Sequence, residues 1–181
     1  MVRHEQLWAP WRLAYIAGEE KTASPEPQPG RLALQPGADP ECFICRGVAD
    51  SSDRDNLLVE RTELSVVVLN RFPYNNGHLL MAPLVHKGRL DELSDHEQVD
   101  LQRLIAKYVG LISRLMNAEG FNIGLNLGRV AGASLPGHLH WHIVPRWSGD
   151  TNFMPALANV KVIPQSLEAL WQMFRDANRQ A

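Results

Sequence analysis

The stretch Gly137-His138-Leu139-His140-Trp141-His142-Ile143-Val144 decides how the rest of the chain is read. Three histidines alternate with apolar residues, which is the period of a β-strand, where successive side chains point to opposite faces. The pattern predicts a strand with His138, His140 and His142 on one face and Leu139, Trp141 and Ile143 entering the core from the other. Apolar side chains gain by burial, whereas an imidazole is costly to bury unless its ring nitrogens find partners. Three on one face read as a site, against the plainer alternative of a solvated strand face. Two chemistries suit such a row: joint coordination of a metal, or a histidine nucleophile with supporting imidazoles. An imidazole can attack phosphorus when an acceptor, usually a backbone carbonyl or carboxylate, holds its second nitrogen.

Upstream of that row, residues 121–126 predict a strand, and Gly128-Arg129-Val130-Ala131-Gly132-Ala133-Ser134 a loop of small residues. Such a loop lets backbone N–H groups and a hydroxyl approach a phosphate closely, although a plain tight loop has the same composition. Residues 94–116 repeat Leu101, Leu104, Ile105, Tyr108, Val109, Ile112, Leu115 and Met116 on one helical stripe, with Ser94 and Glu97 as a capping box and Gly120 as the stop. Strands are predicted at 57–60, 64–70 and 78–83, the last two joined by the turn Arg71-Phe72-Pro73-Tyr74-Asn75-Asn76-Gly77. In this hairpin Asn70 reads as a turn cap and His78 as a structural histidine. Downstream, Lys161-Val162-Ile163 predicts a short strand, and Leu167, Leu170, Trp171 and Phe174 an amphipathic helix.

The 181 residues suit one domain with a sizeable core, and 45% hydrophobic with 21% charged residues is a globular composition. No apolar run is long enough for a membrane span, and Glu5, Trp8, Pro10 and Trp11 interrupt any signal-like segment, so the expectation is a cytoplasmic protein without a membrane partner. A net charge of -2 gives no reason to expect a nucleic-acid partner, while leaving small anionic ligands open. Trp8 and Trp11 predict an N-terminal arm (residues 1–17) docked on the body or on a second subunit, and the prolines and glycines of residues 18–40 a flexible connection within the domain. Cys42 and Cys45 are too few and too close for a disulfide scaffold. Their spacing reads as half a tetrahedral metal site, as a redox pair, or as two inert thiols.

The run from Asn126-Leu127-Gly128-Arg129, through Ala131-Gly132-Ala133-Ser134 and the three histidines, to Pro145-Arg146-Trp147 resembles the histidine triad (HIT) superfamily of nucleotidyl transferases and nucleotide hydrolases. The likeness spans roughly residues 5–175 and is strongest to the bacterial branch of ATP adenylyltransferases, or diadenosine tetraphosphate phosphorylases. It implies an α+β fold, an antiparallel sheet of about five strands carrying the long helix and a C-terminal helix. It implies His140 as nucleophile, with His142 and Ser134 assisting, and a nucleotide held by Phe43, Ile44, Asn70, Asn126, Gly132, Ser134, His142, Asp150 and Asn152. For Phe43 and Ile44 core packing is the alternative, and Arg146 reads either as a phosphate contact or as a solvated arginine. A structural zinc would bind Cys42, Cys45, His86 and His138, with no organic cofactor.

The implied reaction is cleavage of diadenosine tetraphosphate by inorganic phosphate to ADP and ATP through an adenylyl-histidine, in a homodimer. The alternatives are hydrolysis of dinucleoside polyphosphates or adenylate phosphoramidates, and a nucleotide-binding module without turnover. One departure stands out. Leu135-Pro136-Gly137 is one residue longer than the usual spacing in the hydrolases, and Ala133 stands where they often have Gln. Both features favour the phosphorylase branch.

Overall fold

The computed structural model describes residues 32–151 and 162–180. The Trp8 and Trp11 arm, residues 18–31 of the Pro/Gly-rich segment, Asn152 and Lys161 lie outside the described residues. Residues 32–150 with 163–181 make one compact unit; of a second unit, 1–31 with 151–162, only Thr151 and Val162 are described, both exposed.

In chain order the elements are α1 (Phe43–Ala49), β1 (Leu58–Arg61), β2 (Ser65–Leu69), β3 (Leu79–Pro83), α2 (Asp95–Met116), β4 (Gly120–Leu125), β5 (Trp141–Arg146) and α3 (Leu167–Arg179). The five strands form one antiparallel sheet in the order β1-β2-β3-β5-β4, the α+β fold the sequence implies. Strands β2 and β3 are buried along their whole length, as their nearly continuous apolar sequences require. Val162 and Ile163 form no strand.

Helix α2 begins as expected, Ser94 accepting from the Glu97 N–H while the Glu97 carboxylate reaches back to Ser94. It buries Leu101, Leu104, Ile105, Tyr108, Leu111 and Ile112 against β2, β3 and β5. Each fully buried aliphatic side chain contributes about 1.5–3 kcal/mol. Two expectations change. Leu111 takes a place on the stripe while Leu115 is exposed, and the helix ends at Asn117 in the left-handed region (φ 51°) rather than at Gly120, which opens β4. Helix α3 packs on β1 and β2, and Trp171 donates its indole N–H to the Leu58 carbonyl (2.7 Å). The two long helices meet where Tyr108 places its ring edge-on to Phe174 (6.1 Å). The Tyr108 hydroxyl donates to Glu60 (2.9 Å) and accepts from Asn178 (2.7 Å), satisfying the polar end of a buried ring.

The histidine row departs most from the sequence pattern. Only His142 lies within β5; His138 sits at a bend, its N–H closing a turn on the Leu135 carbonyl (3.2 Å), and His140 precedes the strand without being part of it. The β3–β5 register stops at Met81↔Trp141. Beyond it, the Pro83 carbonyl accepts the His138 imidazole (2.9 Å), and the Leu139 N–H turns to the Lys87 carbonyl (2.7 Å). Leu139 and Ile143 are nonetheless buried as predicted, and Trp141 is half-buried.

Candidate functional site

Helix α1 was not foreseen, and it sets one side of the site. Cys42 is its N-cap, the sulfur accepting from the Cys45 N–H (3.4 Å), so Cys42 and Cys45 sit together in one turn. The carbonyls at its C-terminal end are collected by Arg61 of β1, which reaches Gly47 (2.8 Å), Val48 (2.7 Å) and Asp50 (3.0 Å). That brace holds the cysteines against the sheet.

Facing them are His86, from the segment after β3, and His138. The four ligating atoms of Cys42, Cys45, His86 and His138 lie within 4.8 Å of one another. The sulfur–nitrogen separations are 3.3 Å for Cys42 to His138 Nδ1, 3.6 Å for Cys45 to the same atom, and 3.2 Å for Cys45 to His86 Nδ1. A tetrahedral ion with zinc–sulfur and zinc–nitrogen bonds of about 2.3 and 2.0–2.1 Å would have such edges at about 3.5 Å. The Nε2–H of His138 donates to Pro83, which leaves Nδ1 with its lone pair toward the sulfurs, as metal-ligating histidines are commonly held. Burial pushes His138 down to about 4 despite that carbonyl, so the ring is neutral, and burial pushes the Cys42 thiol up to about 12. A thiol so reluctant to ionise in neutral surroundings is drawn into its thiolate form by a cation. The donor set therefore fits a four-coordinate zinc. Close packing defends it: a Cβ on Gly137 would stand 3.1 Å from His86 Nε2. Lys87, whose carbonyl holds Leu139, binds both Glu97 oxygens at 2.7 Å and so ties this segment to the start of α2.

His140, 2% exposed, donates Nδ1–H to the carbonyl of His138 (2.8 Å). A carbonyl can only accept, so the proton is on Nδ1 and Nε2 keeps its lone pair. Burial holds the ring below its usual pKa, against the pull of that carbonyl, and so favours the neutral form in which Nε2 is nucleophilic. The His142 ring stands edge-on to it at 5.2 Å. Nδ1 of His142 lies 3.0 Å from Nε2 of His78, a residue of the β2–β3 hairpin read from sequence as structural. Asn70 lies 3.2 Å from the other nitrogen of His78, and Tyr74 donates its main-chain N–H there (3.0 Å). Sequence spacing offered no sign of this hairpin pairing beyond the presence of His78 beside a Gly.

The remaining expected residues divide. Phe43 is 45% exposed and Ile44 1% exposed in the core, because adjacent helix positions face different ways. Gly132 (φ 86°) and Ser134 are exposed on the loop from β4 to β5, and Asn126 reaches the Gly132 carbonyl at 3.5 Å. Asp150 accepts from Arg146 (2.6 and 2.9 Å), Asn75 (2.8 Å) and the Trp147 N–H (3.2 Å). Arg146 also reaches Asn122 (2.8 Å), so this pair locks the segment after β5 onto the hairpin and β4.

An antiparallel sheet delivering alternate imidazoles from the approach to a central strand defines a histidine-triad protein. The chain belongs to the HIT family, whose domain matches residues 51–149. It is 39% identical over 163 residues to the AP-4-A phosphorylase of Mycobacterium tuberculosis, covering 90% of this chain and 78% of that protein. It is 27% identical over 129 residues to the adenosine 5'-monophosphoramidase hnt1 of Schizosaccharomyces pombe, covering 71% of this chain and 92% of that one. Among solved structures, the histidine triad nucleotide-binding protein ST2152 of Sulfolobus tokodaii has the same fold, with a TM-score of 0.59 and 24% identity over 77% of this chain and 93% of that one.

Proposed function

We propose that this protein is a nucleotidyltransferase that cleaves diadenosine tetraphosphate with inorganic phosphate, giving ADP and ATP. The observation that carries the reading is the tautomer of His140, whose Nδ1–H is held by the His138 carbonyl so that Nε2 is free to attack. Nε2 attacks the α-phosphorus, the bond to the bridging oxygen breaks, and ATP leaves, with adenylate bound to His140. An oxygen of inorganic phosphate then attacks the same phosphorus and displaces the imidazole, giving ADP. His142 and the 132–135 loop, with the Ser134 hydroxyl, neutralise the phosphoryl oxygens as charge builds on them. Phe43 offers a face for the adenine ring, and Asn70 and Asn126 polar groups for ribose. Zinc held by Cys42, Cys45, His86 and His138 joins α1 to the histidine row and keeps His138 in place.

The likeness to the mycobacterial phosphorylase supports phosphate as acceptor. The likeness to the monophosphoramidase makes water the competing acceptor, which would give AMP. A homodimer is part of the proposal: among the described residues β4 is an edge strand, with Asn122, Ile123 and Gly124 exposed, a row of backbone groups and an apolar side chain suited to pairing with a second copy. Product analysis with diadenosine tetraphosphate tests the reaction. ADP with ATP, formed only when phosphate is added, is expected; AMP with ATP regardless of phosphate would establish hydrolysis instead.

A further inference from the structure

Diadenosine tetraphosphate and inorganic phosphate are both strongly anionic. Burial favours the neutral form of His140, so the nucleophile itself supplies no charge to meet them. The arginines of the described residues divide by partner. Arg146 of β5 is held by Asp150 through two nitrogens (2.6 and 2.9 Å) and by Asn122 through the third (2.8 Å). Arg54, Arg61, Arg89, Arg175 and Arg179 also have carboxylate partners. Arg71 donates to the Asp55 carbonyl (3.2 Å), and Arg46, Arg103 and Arg114 stand on helices α1 and α2. Arg129 differs from all of these. It is exposed on the loop that runs from β4 into the histidine row, and its guanidinium has no hydrogen-bond or ion-pair partner among the described residues.

The backbone sets its place. The last pair of the β4–β5 ladder is Leu125↔Trp141, so the chain leaves the sheet at Asn126 and returns to it through His140. Between them the Gly128 carbonyl accepts from both Ala131 and Ala133 (3.2 and 3.3 Å), and the Arg129 carbonyl accepts from Gly132 (3.0 Å). Positive φ at Gly128 (76°) and Gly132 (86°) lets so short a turn close. Arg129 is thereby folded into the same turn as Gly132, two residues before Ser134. Val130 beside it is wholly exposed, so the turn stands clear of the core.

In the reaction proposed above, the α-phosphorus is displaced twice, each time in line with Nε2 of His140. In the first step the bridging oxygen leaves from the side opposite Nε2, carried by the terminal phosphate of ATP. In the second, an unprotonated oxygen of hydrogen phosphate attacks from that same side. The new P–O bond forms, and the electron pair of the P–N bond returns to Nε2. The acceptor phosphate therefore fills the place that the terminal phosphate of ATP has vacated. Water has no phosphoryl group to put there. A guanidinium at that place grips two phosphate oxygens with paired N–H groups, and so favours phosphate over water without touching the nucleophile.

We propose that Arg129 is a specificity-determining residue, holding the terminal phosphate of the leaving ATP and then, in the same position, the acceptor phosphate. This deepens the nucleotidyl-transfer reading and rests on it for its chemistry.

Two measurements on the full chain test it. The first is the ratio of ADP to AMP formed from diadenosine tetraphosphate at a fixed, subsaturating phosphate concentration, a ratio independent of how much enzyme is active. Arg129→Gln should lower it about tenfold through a higher KM for phosphate, with a smaller rise in KM for the dinucleotide, which keeps its other contacts. Arg129→Lys keeps the charge without the fork and should recover part of the ratio. Arg103→Gln removes an exposed charge from α2 and should leave the ratio unchanged. The second is a phosphorus NMR titration with inorganic phosphate alone, which Arg129→Gln should bind about tenfold more weakly than the wild type. An unchanged ratio in Arg129→Gln, or an equal fall in Arg103→Gln, would overturn the proposal. If the wild type makes AMP whatever the phosphate concentration, the phosphorylase reading fails. Phosphate binding weakened in Arg129→Gln would then still support the subsite, and binding equal to the wild type would remove it as well.

Discussion

At one end of the histidine row, His138 turns Nδ1 toward the sulfurs of Cys42 and Cys45 and gives Nε2–H to the Pro83 carbonyl. At the other end, four residues on, His142 turns the same nitrogen toward His78 and lies under the Tyr74 ring. The side chain is identical. What differs is the wall opposite: a helix N-terminus bearing thiols in one case, a hairpin bearing an imidazole and an aromatic ring in the other. Soft, ionisable sulfurs make the first end a place for a cation, while nitrogen donors and acceptors make the second a place where protons are assigned. Between them His140 touches neither wall with its ring nitrogens; it takes its orientation from the carbonyl of a residue belonging to the first end.

Substituting the middle residue probes whether the two ends serve one chemistry. His140→Ala should lower adenylyl transfer by at least about 10⁴-fold, as loss of a nucleophile does, with nucleotide binding by calorimetry and bound metal both retained. Loss of metal in that variant would mean that the ends are not separable. The next effect in size belongs to the cysteine end alone. Removing the ion with a chelator, from a solution with free zinc near 1,000 times its dissociation constant, should lower unfolding free energy by about 4 kcal/mol. Elemental analysis should give one zinc per chain, none in Cys42→Ser, and one in His142→Ala. Zinc lost from His142→Ala would break the comparison.

A smaller effect sharpens it. Lys87 ties the His86 segment to Glu97 at the start of α2, whereas the hairpin end is tied by Asn75 to Asp150 and the Pro145 carbonyl. Burial alone would raise the Glu97 carboxyl, but the hydrogen bonds from Lys87 and Ser94 outweigh it and hold the group below its usual range. A depressed folded pKa means that this stabilisation is complete above the unfolded value of about 4.3 and is lost as pH falls through the folded one. Lys87→Met should cost about 1.5–3 kcal/mol at neutral pH, the range for a hydrogen bond to a charged group. It should also flatten the acid limb of the stability curve, as read by urea titrations between neutral pH and pH 3. The smallest effect is at Phe43, exposed beside the cysteines. Phe43→Ala should change stability by no more than about 0.5 kcal/mol while raising KM for the dinucleotide. A large loss of stability would make Phe43 a core residue like Ile44.

Much of this was legible in one dimension because the signals are local. Period-two histidines, the capping box of Ser94 and Glu97, and the stripe from Leu101 to Ile112 each arise within a few residues, where backbone geometry alone relates side chains. The tetrad was legible only through family resemblance, since Cys42 and His138 are far apart in sequence and spacing cannot close that gap. His78 was passed over because a lone histidine in a hairpin has no pattern; its meaning depends on His142, which reaches it through the β3–β5 register. The strand predicted through His138 and His140 failed for a related reason: Pro83 offered its carbonyl to an imidazole instead of a peptide N–H.

The sequence by itself determined the long helix, the apolar strands and the identity of the row, because alternation, capping and apolar periodicity are properties of the chain's own geometry; the family and its sheet came from the resemblance its motifs carry. Only the tertiary structure decided which histidine faces sulfur, which faces nitrogen and which keeps a lone pair. Those are properties of the opposing surface, and an imidazole takes its protonation and its chemistry from the atom it meets.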